Sequence, residues 1–274
     1  MTVEDLLFFG KKHIHSDHAK ILLAELINKN PLELLNHLSD QIPEETVELY
    51  KRSVYALESG KPLQYVLGNV NFYGTRFYIN ENVLIPRFET EELVEQTINY
   101  ATKFFTEPVD IIDLGCGSGV IGLTLEKKLS TNSVDLVDIS PKALEVSHKN
   151  CVKLSSQAKL IQSDMFENIT KKYDIIISNP PYIKTDEKIE KIVEENEPHI
   201  ALYAGTDGLD CYRKILKNIT KYMKNKCLIA FEIGMTQAQA IEKLVQENIP
   251  SAKIEVKKDL SGKDRMLFIF YNLV

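Results

Sequence analysis

No stretch of the chain approaches the ~20 consecutive apolar residues that a membrane helix needs, so no membrane association is expected. The first residues, Met1-Thr2-Val3-Glu4-Asp5, have neither the basic start nor the apolar core of a signal peptide. Cysteine is scarce: Cys116, Cys151, Cys211 and Cys227 stand 35, 60 and 16 residues apart. That spacing excludes a disulfide framework and a paired-cysteine metal site, so a reducing cytoplasmic setting is expected. Basic charge is short as well, with 33 Lys and Arg against 39 Asp and Glu, a net charge of −6. Neutralising phosphates takes a surplus of cations, so a large nucleic-acid footprint is not expected. Internal repeats and low-complexity segments are also missing. What is present is ordinary soluble-protein composition, 26% charged and 44% hydrophobic. The 274 residues exceed a usual single core and suggest one large domain and a smaller one.

The first sixty residues read as a small helical bundle. Ser16 is placed to cap a helix with Ile21, Leu22, Leu26 and Ile27 at helical spacing. Pro31 suits the first position of a second helix carrying Leu34, Leu35 and Leu38. A third runs from about Pro43 to Glu58 with Val47, Tyr50, Val54 and Leu57 inward, and Gly60 stops it. His13, His15 and His18 have no acid or cysteine at ligand spacing and read as solvated side chains, so no metal is expected. The period then changes. Leu63 to Gly68 and Arg76 to Ile79 are strand-like runs around Asn71-Phe72-Tyr73-Gly74, which suggests a β-hairpin linker over residues 61–85. The large domain is expected over 86–274, opening with an amphipathic helix to about Phe105 that Thr90 would cap.

Val109 to Leu114 reads as a strand running into Asp113-Leu114-Gly115-Cys116-Gly117-Ser118-Gly119, with a helix from about Val120 to Lys128 behind it. Glycines there let the backbone turn sharply and approach a ligand where a Cβ would clash. The next strand, Val134 to Val137, ends in Asp138, 19 residues after Gly119, where a carboxylate can accept both ribose hydroxyls. Gly117 to Gly122 also satisfies the dinucleotide pattern G-x-G-x-x-G, so a nicotinamide cofactor competes with S-adenosylmethionine. Asp113 favours the latter: an acid at that strand end repels a pyrophosphate but suits a cationic amino-acid tail. A further strand, Lys159 to Gln162, leads to Asp164 and Met165, an acid and an apolar side chain suited to an adenine amine and face.

The apolar run Asp174 to Ser178 reads as a buried strand, and Asn179-Pro180-Pro181-Tyr182 follows at its carboxyl end, the edge where open α/β sheets bind ligands. Two prolines remove two donors and bias Asn179 away from the helical region. With the amide of Asn179 and the ring of Tyr182, the turn becomes a slot that accepts hydrogen bonds from an –NH2 group and stacks on something flat. A packed core tyrosine is the competing reading for Tyr182. The charged segment Lys184 to Asp207 reads as a solvated loop or, from its place after the turn, as a substrate-facing lid around Glu197-Pro198.

Taken in order, these motifs resemble the PrmC/HemK family of protein-glutamine methyltransferases. The resemblance spans nearly the whole chain: Pro62-Leu63-Gln64-Tyr65 and Gly68, Leu84-Ile85-Pro86-Arg87 with Glu89-Thr90-Glu91, Asp113 to Gly119, and Asn179 to Tyr182. It continues through Glu197-Pro198 with Ala201-Leu202, Asp207-Gly208-Leu209, and Phe231-Glu232-Ile233-Gly234 with Gln237. Phe88, Met165 and Ala204-Gly205 depart from the family's usual proline, tryptophan and glycine pair. The resemblance implies an α/β fold: a seven-stranded Rossmann-like class I methyltransferase domain preceded by a small helical bundle and a β-hairpin linker. It implies transfer of a methyl group from S-adenosyl-L-methionine, leaving S-adenosyl-L-homocysteine, to the glutamine of the Gly-Gly-Gln motif in class I peptide chain release factors. Cofactor contacts are implied at Asp113, Gly115, Cys116, Gly117, Ser118, Gly119, Asp138, Asp164, Met165 and Asn179. Catalytic roles fall on Asn179, Pro180 and Tyr182, and substrate contacts on those residues with Pro181, Arg87 and Glu197. The bundle is expected to recognise the folded partner, and the enzyme to act as a monomer without direct nucleic-acid contact. A glutamine methyltransferase of a ribosomal protein shares most of these motifs. A nucleic-acid adenine methyltransferase shares the Asn-Pro-Pro-Tyr turn, and a non-catalytic cofactor-binding module is the third class.

Overall fold

The computed structural model describes residues 1–273 and divides into two compact units, residues 1–70 with 190–196, and residues 71–189 with the chain from 197 onward. In the first unit α1 (Val3–His13), α2 (Ser16–Leu26) and α3 (Glu44–Glu58) enclose Val3, Leu6, Leu22, Leu23, Leu34, Val47, Tyr50 and Val54. Helix α1, which periodicity did not single out, starts at a capping box. Thr2 Oγ1 accepts from the Asp5 amide at 3.1 Å, and the Asp5 carboxylate accepts from the Thr2 amide at 2.9 Å. Gly10 is required where α1 meets Tyr50, whose hydroxyl occupies the space a Cβ would take and donates to the Ala19 carbonyl at 3.2 Å.

Three expectations for this unit need correction. The cap of α2 is His15, whose Nδ1 accepts from the Asp17 amide at 3.4 Å. Ser16 is already helical, and the buried face is Ala19, Leu22, Leu23 and Ala24, with Ile21 exposed. Pro31 opens a turn rather than a full helix; only Leu34–His37 is helical, as one 3₁₀ turn, and Leu35 is exposed. The run from Leu63 is not a strand but α4 (Leu63–Leu67), ended by Gly68 at φ 69°. Short apolar runs do not distinguish helix from strand, and here Leu63, Val66 and Leu67 pack on the bundle core. The hairpin therefore starts later, as β1 (Asn69–Phe72) and β2 (Thr75–Tyr78), joined by Tyr73-Gly74 with φ of 47° and 72°, the double positive φ of a primed two-residue turn.

The second unit follows the α/β expectation closely. Its sheet contains β3 (Val109–Leu114), β4 (Thr131–Asp138), β5 (Lys159–Gln162), β6 (Tyr173–Ser178), β7 (Met223–Glu232), β8 (Lys253–Lys258) and β9 (Asp264–Tyr271). The seven strands lie in the order β5-β4-β3-β6-β7-β9-β8. The five strands from β5 to β7 run parallel and β9 is antiparallel to both neighbours. Helices α5 (Phe88–Phe104), α6 (Val120–Lys128), α7 (Pro141–Leu154), α9 (Asp210–Leu216) and α10 (Ala238–Asn248) complete it. Every residue of β3 is buried, as the central strand of a two-faced parallel sheet should be. The strand order reverses between β3 and β6, and a switch point of this kind opens a crevice at the carboxyl ends. The loop after β6 carries α8 (Lys191–Asn196), which clusters with the first unit, and a 3₁₀ turn His199–Ala201. Among the described residues no helix is long and apolar enough to cross a membrane.

Candidate active site

At the switch point lies an open-mouthed cavity of about 200 Å³, in the place where doubly wound sheets bind their ligands. Gly115 to Ser118 after β3, Asp138 to Ser140 after β4, Ser163 to Met165 after β5, and Asn179 and Pro181 after β6 form its floor. Thr90, Pro86, Pro198, Ile200 and Ala201 belong to its other walls.

The glycine loop is held from two sides. Gly117, in the left-handed region at φ 55°, donates its amide to Asp138 Oδ2 at 2.9 Å, and the Ser140 amide donates to Oδ1 at 2.8 Å. Burial pushes the Asp138 carboxyl up despite these donors. Each of its oxygens keeps a second lone pair, the capacity that two ribose hydroxyls would use. From α7, Ser147 Oγ donates to the Gly117 carbonyl at 2.8 Å. Asn150 Nδ2 donates to the Ser118 and Tyr78 carbonyls, both at 2.9 Å, while its Oδ1 accepts from the Tyr78 amide at 2.7 Å. Sequence reading missed Ser147 and Asn150; their i, i+3 spacing on one helical face is the signal that was available.

Asp113 is fully buried and lies behind the cavity wall rather than on it, so the expected direct meeting with a cationic tail is not what the geometry offers. Its Oδ2 accepts from the Gly122 amide at 3.0 Å and its Oδ1 has no partner. Burial, aided by the charge of Asp138 and only partly offset by the Gly122 amide, pushes its carboxyl to about 7. A Cβ on Gly122 would run into the end of the buried Leu136 side chain, which would have to shift to admit it.

In the Asn-Pro-Pro-Tyr turn, Asn179 and Pro181 face the cavity while Pro180 is buried. Asn179 Nδ2 donates to Thr90 Oγ1 at 3.2 Å, and Thr90 Oγ1 donates to Glu232 Oε2 at 2.6 Å. Tyr182 donates its hydroxyl to Glu232 Oε1 at a long 3.4 Å, so this ring belongs to the wall behind the slot. Thr90 is therefore not the cap of α5; Arg87 holds that position and offers no side-chain hydrogen bond to it. Glu232 is 1% exposed, and burial pushes its carboxyl to about 7, with Thr90 and Arg265 opposing and Glu89 adding to the shift. The exit of the turn is pinned by Gln237. Its Nε2 donates to the Tyr182 carbonyl at 2.9 Å and the Gly208 carbonyl at 3.2 Å, and its Oε1 accepts from the Gly234 amide at 3.0 Å.

Two expected contacts turn out to be structural. Glu197, 5% exposed, accepts from Arg87 Nη2 at 2.5 Å and from the Ile85 amide at 3.0 Å, tying down the segment before α5 instead of facing a substrate. Pro198 next to it does reach the cavity. Asp164 lines the cavity but its Oδ2 is paired with Lys214, which leaves Oδ1 for a ligand. Met165 sits on the wall at φ 50°, packed in part against the core under β5 and β6. Gly119, at the amino end of α6, is behind the wall.

Residues 92–199 match the methyltransferase small domain family and residues 11–68 the PrmC N-terminal domain. The fold is similar to a methyltransferase from Pyrococcus furiosus, with TM-score 0.54, 14% identity and coverage of 74% of this chain and 91% of that one. It is equally close to the 16S rRNA N2 G1207 methyltransferase of Thermus thermophilus, solved with AdoMet and guanosine, at TM-score 0.54, 15% identity and coverage of 74% and 50%. With the switch-point cavity, these findings define an S-adenosylmethionine-dependent methyltransferase. Curated relatives narrow the class. The release factor glutamine methyltransferase of Bacillus subtilis is 39% identical over 91% of this chain and 89% of its own length. Its Flavobacterium psychrophilum counterpart is 41% identical over 77% and 76%. The chain belongs to the release factor glutamine methyltransferase family.

Proposed function

We propose that the side-chain oxygen of Asn179 and the carbonyl of Pro180 accept the two amide hydrogens of the glutamine in the Gly-Gly-Gln motif of a class I release factor. The enzyme methylates release factor glutamine from S-adenosylmethionine, and the observation that carries the slot is the orientation of Asn179. Its NH2 group is engaged by Thr90, so its oxygen is the atom left for a donor in the cavity. An amide nitrogen is a weak nucleophile because its lone pair is delocalised; accepting both its hydrogens moves density onto nitrogen and aims it. S-adenosylmethionine supplies an electrophilic sulfonium methyl. The protein's part is alignment, which is worth roughly 7–11 kcal/mol in favourable cases. A residue acting as strong general base is not needed, since an N-alkylated amide loses its extra proton readily to water.

The cavity residues fit such a cofactor: Asp138 for the ribose, Asp164 and Met165 for the adenine end, and Gly115 to Ser118 for the backbone approach. The buried oxygen of Asp113 without a partner marks negative potential under the loop, which favours a cation above it. The amino-terminal unit supports a role in holding the folded partner, because one glutamine side chain is too small to select a single protein. The partner class, the four free thiols and the net charge of −6 support a cytoplasmic monomer that engages protein rather than nucleic acid. Asn179→Ala is the test: it should bind cofactor within about twofold of wild type while single-turnover methyl transfer falls on the order of 10²–10³, the loss typical of one preorganised group. Transfer at the wild-type rate would remove the slot.

A further inference from the structure

The chain Asn179, Thr90, Glu232 starts at the cavity wall and runs inward from it, and every link in it is buried or half-buried and directed. A carboxamide has two nearly isosteric faces, one a donor and one an acceptor. Nothing in its shape alone keeps the acceptor turned to the cavity. Thr90 Oγ1 carries one hydrogen, and what it does with that hydrogen decides the matter. With Glu232 ionised, both its oxygens are acceptors only, so the Thr90 hydroxyl donates to Oε2 at 2.6 Å. It must then accept from Asn179, and the Asn179 NH2 group at 3.2 Å is the half that can supply a hydrogen. The Asn179 oxygen is thereby turned to the cavity.

We propose that Thr90 and Glu232 are positioning residues that lock the Asn179 carboxamide with its oxygen toward the substrate, so that the slot takes a carboxamide –NH2 and rejects a carboxylate. The inference rests on the slot proposed above. Protonating Glu232 reverses the chain: the acid then donates to Thr90, Thr90 donates to the Asn179 oxygen, and the carboxamide turns its donors to the cavity. The groups that set this protonation face Glu232 from each element packed on it. They are Thr90 and Glu89 on α5, Tyr182 after β6 and Arg265 on β9, while the Tyr212 hydroxyl on α9 occupies the Glu232 backbone carbonyl at 2.7 Å. Burial dominates and places the titration at about 7.

The test pairs Thr90→Val, which keeps the shape and removes the hydroxyl, with Thr90→Ser, which restores it, in the full-length enzyme at saturating cofactor and release factor. Thr90→Val should lower kcat at least about tenfold with cofactor affinity within about twofold, and Thr90→Ser should recover most of it, because the loss of a directing hydrogen bond is repaired by any hydroxyl there. The wild-type kcat should fall as pH drops through about 7, and in Glu232→Gln that acid limb should vanish, since an amide does not titrate. A Thr90→Val rate within twofold of wild type, equal losses in the valine and serine variants, or an unchanged acid limb in Glu232→Gln each overturns the proposal. Should the valine variant fail to fold, the pH profile decides alone. Slow Asn179→Ala beside a normal Thr90→Val would leave the slot standing and remove only the orienting chain.

Discussion

Strand β3 carries a buried aspartate near each end, and the fold treats the two in opposite ways. Asp110, at the edge away from the cavity, accepts from Lys171 at 2.6 Å, Lys224 at 2.5 Å and Ser133 at 2.7 Å, with Asn132 alongside at 3.2 Å. Burial raises its carboxyl, but these donors more than offset it and hold it well below the usual carboxylate range. Asp113, three residues on, has one backbone donor and one oxygen without a partner, and burial pushes it to about 7. Glu232 at the carboxyl end of β7 is under the same pressure. A buried charge costs free energy unless it is paired. At one edge the fold supplies charged donors, and at the cavity edge it supplies neutral ones alone, a single backbone amide for Asp113 and the Thr90 and Tyr182 hydroxyls for Glu232.

Breaking the compensated edge should have the largest effect on stability. Asp110→Ala leaves Lys171 and Lys224 without their shared carboxylate. Both lysines reach solvent, so the loss is about 2–3 kcal/mol, in the range of one or two charged hydrogen bonds, with cofactor affinity unaltered. The sign follows from the depressed carboxyl: Asp110 stabilises the fold above the unfolded value of 3.8, and the contribution fades as pH falls below it. Denaturant melts at pH 7 and pH 3 check this; equal penalties at both would contradict the ion pairing.

At the cavity edge the expected cost moves from folding to binding. Asp138→Ala should weaken S-adenosylmethionine by one to two decades, from lost charge-assisted hydrogen bonds of roughly 1.5–3 kcal/mol. Calorimetry giving unchanged affinity would sink the ribose assignment, and NADH binding would revive the dinucleotide reading. The smallest effect sharpens the contrast in sign. Glu232 holds its proton to about 7 in the fold against 4.5 unfolded, so between those values the folded state binds more protons and stability falls as pH rises. Glu232→Gln should therefore gain in melting temperature relative to wild type on going from pH 5 to pH 8, opposite in direction to Asp110→Ala on going from pH 3 to pH 7. A difference that stays constant with pH would mean Glu232 is not titrating in this window.

Much of the second unit was legible because its signals are local. A β-branched run such as Ile175 to Ile177 makes a buried strand, and glycines at Gly115 and Gly117 meet positive φ of 71° and 55°. The bundle was less legible. Leu63 to Leu67 is as apolar as a strand, and only the core it packs on makes it helical. Thr90 looked like a cap because capping is a local habit of threonine, whereas its partner Glu232 lies 142 residues away. Glu197, taken for a substrate contact, closes on Arg87 and Ile85 across more than a hundred residues.

By itself the sequence determined the seven strands, the glycine loop, the Asn-Pro-Pro-Tyr turn and the chemistry they imply, because periodicity, φ preference and donor inventory are properties of neighbouring residues. Tertiary structure alone decided which acids are compensated and which are left short, and which half of the Asn179 amide is held away from the cavity. Those depend on burial and on partners brought together from α5, β6 and β7, and neither burial nor long-range pairing is written in local order.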